Sequence, residues 1–88
     1  MENKKTTVII KNHAFNPAET QVTAGQMVIW RNEDLVPHTV VSDPDGSIFK
    51  SGIIVYRTTT SFTFDKAGEY PYHCSIHPNM HGKVTVKE

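Results

Sequence analysis

The segment YPYHCSIHPNMHGK, residues 70–83, holds the only cysteine of the chain, three of its five histidines and one of its three methionines. Within it Cys74, His77 and Met80 fall at even intervals, C-x-x-H-x-x-M. A thiolate, an imidazole and a thioether form a soft donor set, and such donors select copper over magnesium, calcium or manganese. The set lacks a second imidazole. His38, which follows Pro37 and opens the run HTVVS, is a candidate, because a sandwich of sheets can bring one strand's end beside a distant loop. Two histidines, one cysteine and a weak axial methionine are the donor set of blue copper sites.

Each of these residues also has an ordinary reading. A lone cysteine is by default a buried thiol, and Cys74 has no internal partner for a disulfide. A histidine after proline is commonly a surface residue, and a methionine can be simple packing. His73, His77 and His81 recur every four residues, a spacing that on a helix would line up a zinc face. Pro71 and Pro78 argue against a helix there. His73 then reads as an outward neighbour of Cys74, either a route for electrons or a plain surface side chain. His13 and His81 read as solvent-facing, without a role.

The elements that must position these residues are strands. Proline or glycine interrupts the chain at Pro17, Gly25, Pro37, Pro44, Gly46, Gly52, Gly68, Pro71, Pro78 and Gly82, which leaves no long window of helical periodicity. Between these breaks lie TTVIIK, ETQVTA, QMVIWRN, HTVVS, TTTSFTF, EYPYHC and KVTVK, rich in β-branched and aromatic residues. Strands at this spacing predict an all-β sandwich. The two-residue repeat puts Val28, Trp30 and Asn32 on one face, and Tyr70, Tyr72 and Cys74 on another, so Cys74 points inward and His73 outward. Trp30, Phe15, Phe62, Phe64 and the two tyrosines are the expected aromatic core, with Met27 beside them. DPDGS at 43–47 is turn chemistry.

Composition narrows the function. With 88 residues the chain is expected to form a single domain over 1–88, too small for a second lobe. Nine basic and nine acidic side chains cancel, so no basic face exists to neutralise a nucleic-acid backbone. The ENKK run at the start reads as a solvated terminus. No apolar stretch approaches the roughly 20 residues that span a bilayer, and no signal-peptide pattern opens the chain. The sequence therefore reads as either cytosolic or trimmed of a signal or anchor.

The loop HPNMHGK and the preceding GEYPYHCSI resemble the cupredoxins, and among them the amicyanins, in which two residues separate cysteine from histidine and two more separate histidine from methionine. The resemblance runs on through FNPAETQVTAGQMVIWRNEDLVPHTV, which is similar to the family pattern F-x-P, then V-x-x-G-x-x-V-x-W-x-N, then P-H. With SFTFDKAGEYPYHC it covers nearly the whole chain. It implies a Greek-key β-sandwich of about seven to eight strands holding one type 1 copper ion. His38, Cys74 and His77 would be equatorial ligands and Met80 the axial one. Three residues depart from the pattern. Thr39 stands where the family usually has asparagine, and its backbone N–H can still donate to the sulfur. Ile76 replaces a proline and keeps an N–H that could reach the same sulfur. Asn79 replaces a bulky apolar residue, which shrinks the expected docking patch.

The function that the resemblance implies is single-electron transfer by Cu(I)/Cu(II) cycling between a redox donor and an acceptor, not catalysis. Partners would touch a small apolar patch at Val36, Pro37, Ile76 and Pro78, in brief encounters. An extracytoplasmic or periplasmic location is the family expectation, and a monomer is expected. Two alternatives are a copper delivery protein without electron transfer and a zinc-stabilised structural domain. Met80 speaks against zinc, which takes Cys, His and carboxylate donors.

Overall fold

The computed structural model describes residues 5–88; Met1 and most of the ENKK run lie outside them. Eight strands are formed: β1 (Lys5–Lys11), β2 (Ala14–Asn16), β3 (Glu19–Thr23), β4 (Gln26–Asn32), β5 (Val41–Ser42), β6 (Thr59–Phe64), β7 (Gly68–His73) and β8 (His81–Lys87). They make two four-stranded sheets, ordered β2-β1-β4-β6 and β3-β8-β7-β5. The chain passes between the sheets at every connection from β2 to β7, the weave of a sandwich. β1 runs parallel to β4 and β3 parallel to β8, and the remaining pairings are antiparallel.

Alternation explains which side chains fill the space between the sheets. In β4 Val28, Trp30 and Asn32 are buried, and in β8 Val84 and Val86 are. Trp30 stacks near Phe49, Phe64 and Tyr72, with ring centroids 5.8, 6.5 and 5.4 Å away. Phe49, absent from the expected aromatic core, lies at its centre because the 43–50 turn folds it back under β5. Phe62, Tyr70 and Met27 are only half-buried, since they stand toward the sheet margins.

Two strands differ from expectation. The run HTVVS gives only Val41 and Ser42 as a strand. His38 to Val40 instead bond to the loop 50–54, through His38 N–H to Ile54 O at 3.1 Å, Ile54 N–H to His38 O at 2.8 Å and Ser51 N–H to Val40 O at 2.8 Å. Its backbone groups are satisfied, but by an irregular neighbour. β2 was not expected at all, and it exists because Asn12 and His13 form a two-residue hairpin turn, both with φ of 56°. Positive φ at both central positions is the turn that matches strand twist, and Asn and His tolerate it better than most residues.

Candidate metal centre

At one end of the sandwich the loop 74–80 joins β7 to β8. Two backbone bonds close it: Cys74 N–H donates to Met80 O at 3.1 Å, and Met80 N–H to His77 O at 2.9 Å. Cys74 is fully buried and Met80 nearly so, at 4%. They continue the β7–β8 register as a facing pair, so both side chains enter the same inner face. His77 stands between them at the loop's crest, half-buried.

His38 approaches from the other sheet's connection. Its position is fixed by the Ile54 pairing and by Asn32, whose buried amide donates to Val36 O at 3.0 Å and Ile54 O at 2.7 Å and accepts from Asp34 N–H at 2.8 Å. His38 is 0% exposed. Its Nδ1 lies 3.8 Å from Cys74 Sγ, and His77 Nδ1 lies 3.9 Å from the same sulfur. The three donor atoms sit within 4.8 Å of one another. An ion about 2.0 Å from nitrogen and 2.3 Å from sulfur, with trigonal angles, separates N from S by about 3.7 Å. Both nitrogen–sulfur spacings fit such an ion.

Hydrogen bonds fix the donors' states. His38 Nε2 meets Asp34 Oδ2 at 2.8 Å, which keeps the proton on Nε2 and turns the Nδ1 lone pair toward the sulfur. Burial pushes the Asp34 carboxyl upward, but the His13 N–H, the His38 ring and the Asn12 N–H outweigh it and hold the group below its usual value. Desolvation, followed by the neighbouring His38 and His13, holds the His77 imidazole below its ordinary value. Cys74 Sγ accepts from Thr39 N–H at 3.4 Å and is 3.8 Å from Thr39 Oγ1. The Thr39 hydroxyl also bridges to Ser75, accepting from its N–H at 2.8 Å and meeting its Oγ at 2.8 Å. Threonine therefore carries a side-chain role between His38 and the loop. Among the described residues no bond runs from Ile76 N–H to the sulfur; Thr39 supplies that contact instead.

Two site neighbours escaped sequence reasoning. Asp34 accepts the N–H groups of Asn12 at 2.7 Å and His13 at 3.0 Å as well as the His38 ring. It thereby pins the β1–β2 turn over the site. His13, read as a solvent-facing residue without a role, is exposed, yet its ring packs edge-on against both imidazoles, 4.8 Å from His77 and 5.4 Å from His38. Only the left-handed turn aims it there, and no spacing in the sequence announces that. His73 points outward as expected but is half-buried and not free, its Nδ1 against Asp43 Oδ1.

Around the site, Val36, Pro37, Ile76 and Pro78 are all exposed, together with Leu35 at 83%. A shallow depression of about 340 Å³ beside His77 is lined by His13, Ile76, His77, Pro78, Asn79 and Met80.

A family model described as a cupredoxin-like domain matches residues 1–86. Amicyanin of Paracoccus denitrificans is 36% identical over 83 residues, covering 91% of this chain and 63% of that protein. The chloroplastic plastocyanin of Tetradesmus obliquus is 34% identical over 84 residues, covering 83% of this chain and 58% of that protein. A solved amicyanin variant in its Cu(I) form superposes with a TM-score of 0.87 at 31% identity, over 99% of this chain and 86% of that one. The chain belongs to the cupredoxin family, as a homologue of amicyanins and plastocyanins. It spans somewhat less than two thirds of the length of the two curated relatives.

Proposed function

We propose that the chain is one cupredoxin-like domain over residues 1–88 that holds a single type 1 copper ion and carries one electron at a time between redox partners. The observation that supports this most strongly is the convergence of His38 Nδ1, His77 Nδ1 and Cys74 Sγ, with Met80 buried on the same face. Bound copper supplies the one-electron chemistry by alternating between Cu(I) and Cu(II). The protein's part is to keep the donors where they stand.

Asp34 holds His38 in one tautomer, and the strand register holds Cys74. Thr39 donates to the sulfur and thereby stabilises its electron-rich state. The half-buried His77, beneath the apolar rim and beside His13, is the side chain through which electrons enter and leave. The exposed Val36, Pro37, Ile76 and Pro78 suit a brief contact with a donor and an acceptor, and Leu35 enlarges that patch. Location outside the cytoplasm and a monomeric state complete this reading by kinship.

Met80 favours copper over a zinc-only structural role, because thioether sulfur is not among zinc's usual donors. Voltammetry of the copper-loaded protein tests the reading. A reversible one-electron wave, absent from Cys74→Ser, is expected. Rapid loss of copper to a weak chelator with no reversible wave would instead mean a delivery protein.

A further inference from the structure

On the outer face of the second sheet, β7 and β8 carry two histidines that the centre above does not use. His73 and His81 are direct partners in the antiparallel register. The adjoining pair, Cys74 and Met80, is joined by the 3.1 Å bond from Cys74 N–H to Met80 O. His73 and His81 are therefore the next, non-hydrogen-bonded pair, the kind whose Cα atoms lie about 4.5 Å apart and whose side chains come closest. Since Cys74 and Met80 point into the core, alternation sends both histidines outward.

His73 is already oriented. Its Nδ1 lies 2.5 Å from Asp43 Oδ1, which keeps the proton on Nδ1 and leaves the Nε2 lone pair free. A carboxylate on the far nitrogen is the arrangement that orients metal-ligating histidines. His81 is exposed, so its ring can turn about its own torsions to meet that lone pair. Lys83, the nearest cation along β8, is drawn toward Glu69 at 3.6 Å.

We propose that His73 and His81 form a second, two-histidine site for a borderline divalent transition-metal ion on the outer face of β7 and β8. Imidazole suits zinc, copper(II) and nickel, whereas magnesium and calcium prefer oxygen donors. Asp43 acts through His73 and is a positioning residue, not a ligand. With only two protein donors the ion keeps water in its remaining positions, so it exchanges readily. It ties together the two strands from which the 74–80 loop is slung, and it binds the folded chain preferentially, which raises stability by mass action.

Zn(II), titrated calorimetrically into the copper-loaded protein and into its His81→Asn variant, tests this. The wild-type chain is expected to bind one equivalent more than the variant, with its thiolate–copper absorption unchanged and its unfolding midpoint raised only where His81 is present. Asp43→Asn is expected to keep the stoichiometry and weaken binding about ten- to hundred-fold. Equal stoichiometry in wild type and His81→Asn would overturn the proposal, as would zinc uptake that bleaches the thiolate band, which places the ion among His38, Cys74 and His77. An unchanged affinity in Asp43→Asn would remove Asp43 from the site. Should the protein fail to load copper, the one-equivalent difference is still read with zinc alone, so that failure stays distinguishable from failure of the second site.

Discussion

At the scale of single residues, Asp34 connects the most to the site. One carboxylate takes two backbone N–H groups of the β1–β2 turn and the outer nitrogen of His38. Asp34→Asn leaves the volume unchanged but weakens all three contacts. Metal affinity is expected to fall about ten- to hundred-fold, read by competition with a chromophoric chelator. An unchanged affinity would mean that backbone pairing alone orients His38. The sign of the pH dependence follows from its lowered folded value. Because the unfolded carboxyl protonates near pH 3.9, the Asp34 contribution is complete above that value and lost as pH falls through the lower folded one. Denaturant titrations across this acid range should show a decline in the wild type that is smaller in Asp34→Asn.

Residues also mark the boundary of what sequence could tell. Cys74, His77 and Met80 were legible because they share one short loop, where spacing alone expresses geometry. His38 needed the resemblance, since it lies 36 residues from Cys74 and meets it only through the sandwich. Asp34 and His13 were illegible for a different reason. Their contacts depend on a left-handed turn and a carboxylate 21 residues apart, which no local pattern encodes.

At the scale of elements, the β7–β8 pair sets the loop. Tyr72 faces Gly82 in that register, and its ring lies over the glycine so closely that an added Cβ would fall 2.3 Å from Cζ. The strand cannot shift without moving Met80, two residues away. Gly82→Ala is therefore expected to destabilise the fold by about 1–3 kcal/mol, the cost of overpacking, measured by urea unfolding. A variant as stable as wild type would mean that the Tyr72 ring swings aside freely.

Tyr72 itself ties this element to pH. Burial pushes its hydroxyl up to about 12, above the usual 10. A group raised in the folded state contributes stability below its unfolded value and loses it as pH rises toward the folded one. Stability should thus fall between about pH 10 and 12, and Tyr72→Phe should remove most of that fall. The sequence expressed this element well, because uninterrupted alternation in EYPYHC and KVTVK reports both faces. It misreported HTVVS, whose residues His38 to Val40 pair with an irregular loop that carries no strand pattern.

At the scale of the whole molecule, the fold presents one end to its surroundings. The candidate centre lies there under Leu35, Val36, Pro37, Ile76 and Pro78, while formal charge over the chain is zero. Two copies can then meet end to end without strong repulsion. Electron self-exchange, measured by NMR line broadening in mixed oxidised and reduced samples, should slow in Ile76→Lys, which sets like charges against each other across that contact. A rate equal to wild type would move the contact to another face. The sandwich itself was visible in the sequence through the regular run of strands and breaks, whereas the pairing of β1 with β4 and β3 with β8 was not, since parallel neighbours lie far apart in the chain.

The copper centre stands or falls on whether Cys74 joins His38 and His77 as a ligand. Visible absorption and electron paramagnetic resonance after adding Cu(II) to the apo protein, alongside Cys74→Ser, test it most directly. An intense band toward the red with narrow copper hyperfine splitting is expected, both lost in the variant. A colourless protein that takes up zinc in preference, or a spectrum indifferent to Cys74→Ser, would contradict it.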